Sequence, residues 1–477
     1  MEKNLLIENL QNLVGNENVL TDENIVLEAT KDYIGFRRHE RAEGVFNVNR
    51  ASCVVKVNST EEISKVMKFL NENNVDVVPR TGGSSVTLGI EPVPGGVILD
   101  ASGMNEIICF DEVNSMVTVK CGTPLEYLEN WLNEKGYTTG HMPQSLPMAQ
   151  MGGLVATRSI GQWSTLYGGI EDLLIGLEAV LPNGEVVRIK NVPRRSTGPD
   201  LRHLFIGCEG TLGFVTEVTV KVFKYRPENR WMCAYEIDNT PVGLETIRDI
   251  MVEGYRPAVV RLHDALEVKY FFNGCTSEGK SLLIFLAEGP KSITEATGKG
   301  IDEIVKKHGG VSLGEKPVQA WLVHRNDVSY DIDGKEQQIY KMGLIADTCE
   351  ISANWSDIGE IYKAVLSRLP KDVPNCALIG GHSSHSYLTG TNIYFQFGIV
   401  ARGKGTAEQD YMNVIRVIME ETLKRGGSIA HHHGSGKYRT KWMPEEHGTS
   451  YPLMYMLKDA LDPKHIMNKG VILVDKD

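Results

Sequence analysis

Apolar residues recur at helical spacing near the start of the chain and then gather into short runs typical of strands. Helical spacing predicts helices over residues 2–14 and 23–34, the second with Thr21 as its N-cap. The elements predicted from there to residue 223 are strands at 51–57, 75–80, 96–100, 106–111 and 116–122, helices over 59–73 and 124–135 and from Gly152, and paired strands between 172 and 223 around an Asn-Gly turn. This mixture is an α+β pattern.

Strands and helices alternate more loosely in the second half of the chain. The predicted elements are strands at 232–237, 257–262, 281–289 and 391–400 and helices over 242–253, 292–308 and 405–425. We expect an N-terminal helical segment over 1–48, an α+β domain over 49–224, a cap-like α/β domain over 225–404, and a C-terminal helical segment over 405–477 that returns to the first domain.

Composition narrows the class of protein. The 477 residues carry a net charge of -11, which gives no basic stripe for a nucleic acid partner. The eight cysteines show no CxxC spacing, so neither an iron–sulfur cluster nor a zinc ribbon is expected. The N-terminus has neither an apolar signal core nor an 18-residue apolar run, which predicts a cytoplasmic protein without a transmembrane segment.

Glycine-bearing loops are the strongest local signal. The loop 79–85 follows a strand directly, and its adjacent glycines allow backbone N–H groups to converge on a diphosphate. It is neither GxGxxG nor GxxxxGK[ST], and for this loop alone a plain hairpin turn is the alternative. The segment 144–153 introduces a helix whose N-terminus favours an anion, and 157–161 and 209–215 add further glycines. Three glycine-bearing loops in one domain favour a cofactor site.

These motifs resemble a known flavoprotein superfamily. PRTGGSS (79–85), the run over 140–158, IEDLL (170–174), RRSTGPDL (194–201) and EGTLGFVTE (209–217) are similar to the PCMH-type FAD domain of the vanillyl-alcohol-oxidase superfamily. Within it the chain most resembles the alkylglycerone-phosphate synthase family. The resemblance extends over nearly the whole chain, through Arg261-Leu262, Glu350-Ile351-Ser352 before Trp355, the HSY…IYFQF block and 431–442.

The resemblance implies an FAD site in the first domain, a cap that holds the substrate, and a C-terminal segment that returns to the flavin. The residues expected to contact FAD are Pro79, Arg80, Thr81, Gly82, Gly83, Ser84, Ser85, Gln144, Ser145, Leu146, Pro147, Met148, Ala149, Gln150, Gly152, Gly153, Thr157, Arg158, Ser159, Ile160, Glu209, Gly210, Thr211, Leu212, Gly213, Phe214 and Val215. Families with covalent flavin usually place a histidine in the first loop. Ser84 and Ser85 stand here instead, so we expect non-covalent FAD.

The run His431-His432-His433 follows a Gly-Gly break and reads as a loop or extended segment. Three adjacent histidines can form a proton relay or bind a metal, and a solvated polar turn is the alternative. The resemblance places this run against the flavin and makes it necessary for activity.

Tyr387 is the predicted catalytic acid or base, again by resemblance. A phenol has a pKa near 10, so nearby cations would have to lower it; a buried structural tyrosine is the alternative. His382 and His385 resemble metal-binding histidines of related FAD-dependent 2-hydroxy-acid dehydrogenases. The acidic and glycine residues of that pattern are missing, so we expect no metal and assign His382 to the substrate.

Three basic residues are expected to hold an anionic substrate or act beside it. Arg261 matches a family arginine, and Arg325 falls in the cap near a substrate-binding arginine of the synthases. A guanidinium binds carboxylate or phosphate through two parallel hydrogen bonds, although a surface salt bridge would explain Arg325 equally well. Lys437 would add positive field beside the flavin.

Two enzymatic functions fit this chemistry. The first is an FAD-dependent oxidoreductase that removes a hydride from an alcohol or 2-hydroxy acid bearing a carboxylate or phosphate. The second is an alkylglycerone-phosphate synthase that exchanges acyl for alkoxy without net redox. A flavin electron carrier without enzymatic activity explains the tyrosine, histidines and arginines least well. We expect a small anionic substrate, an electron-acceptor protein and a homodimer.

Overall fold

The computed structural model of the protein describes residues 1–45, 49–272, 274–332 and 335–474. Helices and strands are mixed along this chain and the largest sheet is antiparallel, which confirms the α+β prediction. The predicted segment ends at 48 and 477 lie outside the described residues, and the division into four segments stays a prediction. No helix among the described residues is long and apolar enough to cross a membrane.

Two small sheets form the first half. The four-stranded sheet has the order Val19–Leu20, Cys53–Lys56, Val97–Asp100 and Val77–Arg80. The five-stranded antiparallel sheet has the order Ile107–Asp111, Met116–Lys120, Phe214–Lys221, Leu174–Val180 and Val186–Ile189, and Phe223–Lys224 pairs with Tyr137–Thr138. Strand Val77–Arg80 runs parallel to Val97–Asp100 and ends inside the first glycine-bearing loop, so this sheet fixes where the loop begins.

The helices of the first half are Lys3–Val14, Glu23–Ala29, Gly35–Ala42, Thr60–Glu72, Leu125–Asn133, Met151–Ala156, Ser164–Tyr167 and Ile170–Leu173. Ser59 caps Thr60–Glu72 through the N–H of Glu62, as predicted. The single helix predicted over 23–34 is wrong, because the helix ends at Ala29 and a new one starts at Gly35. The predicted Thr21 cap is also wrong: the Asp22 carboxylate accepts two backbone N–H bonds there.

A seven-stranded antiparallel sheet dominates the second half. Its order is Val311–Gly314, Trp231–Ile237, Ser281–Ala287, Val259–His263, Cys376–Ser383, Gly390–Val400 and Leu344–Asn354. Four long helices, Thr240–Val252, Lys291–Lys307, Trp355–Asp372 and Ala407–Leu423, pack apolar side chains against it in the largest core of the protein. The remaining helices are Ala265–Phe271, Lys316–His324, Asp327–Tyr330, Lys335–Lys341, Met443–His447 and Tyr451–Leu461.

The elements of this half that the sequence analysis does not predict include strands Leu344–Asn354 and Cys376–Ser383 and helix Trp355–Asp372. The first strand buries Ile345, Cys349 and Ile351 but also carries Asp347, Thr348 and Glu350. Because its polar residues include cavity-lining and buried groups, its apolar pattern does not alternate as a sheet strand usually does.

Candidate active site

The three glycine-bearing loops of the first half surround one cavity of ≈ 960 Å³, near the upper end of the roughly 300–1,000 Å³ typical of ligand pockets. A Cβ on Gly82 would lie 2.5 Å from the carbonyl oxygen of Met148, so only glycine lets these two loops approach so closely. Gly83 and Gly210 have φ of 66° and 73°, in the left-handed region that glycine tolerates. Backbone geometry therefore shapes this wall of the cavity.

Most of the residues predicted to contact FAD line this cavity, whereas five of them and the predicted substrate residue Lys437 do not. Those on the wall are Pro79, Arg80, Thr81, Gly82, Gly83, Ser84, Ser85, Gln144, Ser145, Met148, Ala149, Gln150, Gly152, Gly153, Thr157, Ser159, Ile160, Glu209, Gly210, Gly213, Phe214 and Val215. Those off the wall are Leu146, Pro147, Arg158, Thr211, Leu212 and Lys437. Leu146 is a core residue, and Arg158 pairs with Glu171 at 3.2 Å.

Hydrogen bonds and an ion pair to residues outside the glycine-bearing loops hold these loops in position. The hydroxyl of Ser85 donates to Asp32 at 2.6 Å, and Arg80 pairs with Asp100 at 2.8 Å. Burial raises the pKa of Asp32 to about 6. Glu209 accepts hydrogen bonds from the backbone N–H groups of Ser435 and Gly436, both at 2.8 Å, and this ties the histidine loop to the glycine-bearing loops.

Two buried polar atoms on the cavity wall suit a bound ligand. The side-chain oxygens of Gln150 and Asn468 have no hydrogen-bond partner among the described residues, and both residues line the cavity. Buried acceptors are rarely left unpaired, so a ligand that brings N–H or O–H groups would satisfy them. Together with the glycine cradle and the cavity volume, these atoms fit FAD.

The opposite wall comes from one row across the seven-stranded sheet. His263 lies opposite His382, His382 opposite Tyr394, and Tyr394 opposite Glu350. Cross-strand neighbours share a face of the sheet, so residues more than 80 positions apart in the sequence become a contiguous polar row. His263, His382 and Tyr394 line the cavity.

Arg261 and Arg325 lie on the same wall, against stacked aromatic rings. Arg261 lies 5.1 Å from the Trp321 ring centroid and Arg325 4.7 Å from that of Trp163, and the two tryptophans stack at 6.1 Å. Arg261 donates to Nε2 of His263 at 3.1 Å, and Arg325 donates to an amide oxygen at 2.8 Å. Neither forms an ion pair with a described carboxylate, and burial lowers the pKa of each to about 10.

The histidine loop joins this wall through a continuous series of short hydrogen bonds. Tyr387 Oη lies 2.8 Å from His431 Nε2, and His431 Nδ1 lies 2.7 Å from His432 Nδ1. Tyr394 Oη lies 2.6 Å from His432 Nε2 and 2.8 Å from His433 Nε2. His433 Nδ1 lies 2.9 Å from Glu350. We call these six groups the histidine–tyrosine chain.

The inner end of the histidine–tyrosine chain is a buried ion pair. Arg439 donates to both oxygens of Glu350, at 2.9 and 2.7 Å. Burial opposes the charge of Glu350, but Arg439 and His433 outweigh it and hold its pKa well below 4.5. Burial lowers the pKa of His431 to about 4 and that of His432 well below 6.5. These two imidazoles are therefore neutral at pH 7.

Tyr387 does not lie where the sequence analysis expects the catalytic hydroxyl. It is absent from the cavity wall, as is His431, whereas Tyr394, His432 and His433 are on it. Burial, followed by the charges of Glu171 and Asp172, raises the pKa of Tyr387 instead of lowering it. Its hydroxyl contacts a neutral histidine, and the positive charge of Arg158, which lowers the pKa, is outweighed.

Tyr394, Glu350 and Glu267 are the functional candidates that reasoning from the sequence missed. A signal existed in NIYFQF, where Tyr394 and Gln396 line the cavity and alternate with the buried Phe395 and Phe397. Glu267 has no such signal: it bridges His263 and His382 at 2.6 and 2.8 Å because a helix returns it to the sheet.

Two groups of potential metal ligands lie in this region. Ligand atoms of His385, His431 and His432 lie within 4.8 Å of one another, as do those of His263, Glu267 and His382. In both groups most ring nitrogens already bond to another member of the group, to a tyrosine, to a serine or to Arg261. We interpret both as hydrogen-bonded clusters.

The fold and the cavity are those expected of an FAD-binding enzyme. Residues 51–190 match the family described as "FAD binding domain", and residues 226–472 match "FAD linked oxidases, C-terminal domain". The chain belongs to the FAD-linked oxidoreductases and is an FAD-dependent enzyme.

The relatives make this assignment more specific. The chain is 46% identical over 475 residues, 98% of each chain, to the "Uncharacterized FAD-linked oxidoreductase YgcU" of Escherichia coli strain K12. It is 29% identical to the alkyldihydroxyacetonephosphate synthase of Caenorhabditis elegans over 87% of this chain and 74% of that one. A solved alkyldihydroxyacetonephosphate synthase structure superposes with a TM-score of 0.82 at 23% identity, over 98% of this chain and 86% of that chain. The resemblance to the synthase branch is confirmed.

Proposed function

We propose that the protein oxidises a hydroxyl-bearing carbon of a small anion, in the class of 2-hydroxy acids. Arg261 carries this proposal: a buried guanidinium on the cavity wall has a neutral histidine and an indole as its neighbours, and no ion pair with a described carboxylate. A buried cation without an acidic partner is costly unless a ligand supplies the charge. A substrate carboxylate supplies it.

Tyr394 is the acid–base group of this proposal, in the role that the sequence analysis gives to Tyr387. Its hydroxyl is on the cavity wall between His432 and His433. When Arg261 binds the carboxylate of the substrate, the hydroxyl of that substrate can therefore reach Tyr394. FAD supplies the hydride acceptor when bound. The residues of this chain orient the substrate, take the proton and exclude water.

A synthase-type exchange on a phosphorylated ketone is the second candidate. Arg261 and Arg325 can also bind a phosphate, and part of the cap side of the cavity is apolar. Its apolar wall is formed by Phe271, Phe272, Pro317, Ala320, Trp321 and Val328. Such a wall accommodates an alkyl or acyl chain that a small hydroxy acid does not need.

Anaerobic mixing separates these candidates. Under the first, one compound from a panel of 2-hydroxy acids bleaches the flavin absorbance near stoichiometrically. Under the second, an acylated dihydroxyacetone phosphate and a long-chain alcohol give ether product while no electron acceptor is consumed. Bleaching by neutral alcohols alone would contradict the role of Arg261.

Arg261→Gln tests the anion site directly. A lost charged hydrogen bond of about 1.5–3 kcal/mol raises KM for the bleaching substrate roughly 10- to 100-fold. Arg230→Gln is the matched control, since Arg230 pairs with Glu288 at 2.8 Å and does not line the cavity. Equal KM values in Arg261→Gln and wild type would remove the anion from the proposal.

Non-covalent FAD, an electron-acceptor protein, a homodimer and a cytoplasmic location complete the proposal. Support for non-covalent FAD is the absence of histidine and cysteine from the first loop, 79–85. Acid precipitation should leave a colourless pellet and free FAD; a yellow pellet would indicate a covalent bond. An acceptor is needed because two electrons must leave the flavin in each turnover. Light scattering tests the homodimer, and cell fractionation tests the cytoplasmic location.

A further inference from the structure

The histidine–tyrosine chain runs between two different environments. Tyr394, His432 and His433 face the cavity, whereas Tyr387 is partly exposed outside it. At the inner end Glu350 is fully buried and bonded by Arg439, which is also fully buried. Only the inner end therefore holds a fixed charge that can decide which atom of each pair carries the proton.

The protons can be assigned from that end. A carboxylate only accepts, so Nδ1 of His433 donates to Glu350. When His433 carries a single ring proton, that proton is on Nδ1, so Nε2 is an acceptor and the Tyr394 hydroxyl donates to it. With its only proton used, the Tyr394 oxygen must accept from Nε2 of His432.

The same rule continues outward. Neutral His432 protonated on Nε2 has a free lone pair on Nδ1, so Nδ1 of His431 donates to it. Nε2 of His431 then accepts from the Tyr387 hydroxyl. One carboxylate thus determines the direction of five consecutive hydrogen bonds.

We infer that Glu350 is a positioning residue that points every hydrogen bond of the histidine–tyrosine chain inward and thereby makes Nε2 of His433 the acceptor of the Tyr394 proton. The inference rests on the proposed role of Tyr394. As the substrate hydroxyl gives its proton to the Tyr394 oxygen, the Tyr394 proton moves to His433. Tyr394 ends neutral, and the new imidazolium of His433 lies 2.9 Å from the Glu350 carboxylate.

This arrangement removes the need for a tyrosinate. Burial raises the pKa of Tyr394 well above 10, so a preformed phenolate would be rare at neutral pH. His431 and His432 are weak proton acceptors because burial lowers their pKa values. Among the three imidazoles of the run, only that of His433 contacts a carboxylate through its ring.

Histidine-labelled holoenzyme tests the direction without substrate. The 15N spectrum should show neutral tautomers with the proton on Nδ1 of His433, Nε2 of His432 and Nδ1 of His431, assigned through single-histidine substitutions. A spectrum with Nδ1–H on His432 and Nε2–H on His431 would overturn the inference. This outcome does not depend on which reaction the enzyme catalyses.

Glu350→Gln tests the consequence. The amide nitrogen in the place of Oε2 donates to Nδ1 of His433, so all three tautomers should invert. We expect kcat to fall about 100-fold, as for a lost general base, while KM changes little because Arg261 is untouched. Inverted tautomers with wild-type kcat would refute the positioning role.

Tyr394→Phe is the second variant in case Glu350→Gln does not fold. It should leave Nδ1–H on His433, which still bonds Glu350, and release His431 and His432 into mixed tautomers. Fixed tautomers in all three histidines would contradict a direction transmitted through Tyr394. If the tautomers are as expected but no hydroxy compound reduces the flavin, the proposed function fails and the direction of the chain stands.

Discussion

The two walls of the cavity are built in opposite ways. The glycine-bearing wall comes from short contiguous segments, and its shape depends on backbone atoms, as where Gly82 meets Met148. The wall of the seven-stranded sheet comes from single residues of separate strands, such as His263, His382 and Tyr394. The first wall is adapted to hold a cofactor shared by a superfamily, and the second to place individual side chains that decide the reaction.

This difference predicts that the walls fail differently. Substitutions that distort the glycine-bearing wall should abolish FAD binding and therefore all activity. Damage to the sheet wall should leave the flavin in place and change rate or substrate affinity. FAD content and turnover, measured on the same variants, therefore separate the two walls.

Gly82→Val has the largest expected effect. Its Cβ would lie 2.5 Å from the Met148 carbonyl oxygen, so the first two loops must separate. We expect colourless protein with almost no FAD by absorbance and no turnover. Gly103→Ala is the control within the same half, since its Cβ would meet its nearest neighbour at an ordinary 3.4 Å. A yellow, active Gly82→Val protein would show that this contact does not shape the site.

Tyr394→Phe should keep a full complement of FAD and lose about 100-fold in kcat, the scale of a general acid–base contribution. Tyr387→Phe should lose only a few-fold, because Tyr387 does not line the cavity. Tyr235→Phe is the control: its buried hydroxyl bonds Asp302 at 3.2 Å on the same sheet. A larger loss in Tyr387→Phe than in Tyr394→Phe would restore the assignment made from the sequence.

The glycine-bearing wall can be predicted from the sequence because the residues that form each of its loops are adjacent in the chain. A strand, two adjacent glycines and a helix start within a few residues define each loop, and 22 of the 27 residues expected to contact FAD line the cavity. Most strands and helices of the first half follow for the same reason, from periodicity over short windows.

The sheet wall could not be predicted in this way. Tyr394 and Glu350 are neighbours only because two strands pair in one register, and nothing local specifies that register. The sequence analysis assigns the catalytic role to Tyr387 by resemblance to a family motif. The hairpin places it beyond the end of the paired strands, while strand alternation turns Tyr394 into the cavity.

The smallest expected effect is on stability, at Asp32 behind the glycine wall. Asp32 accepts from Ser85 and from the N–H of Ile34, but burial still raises its pKa from 3.8 to about 6. The folded state therefore holds this proton more tightly, and folding loses stability as pH rises from about 4 to about 6. The difference corresponds to at most about 3 kcal/mol at pH 7.

Asp32→Asn removes that penalty and keeps an oxygen for Ser85. The variant should unfold at a higher temperature than wild type at pH 7 to 8, and its advantage should shrink towards pH 4 and disappear below it, where Asp32 becomes protonated in both states. FAD content and turnover should stay near wild type, because the side chain acts behind the loop. An advantage that persists unchanged at pH 4 would point to a steric cause, and lost FAD would place Asp32 among the residues that shape the cavity.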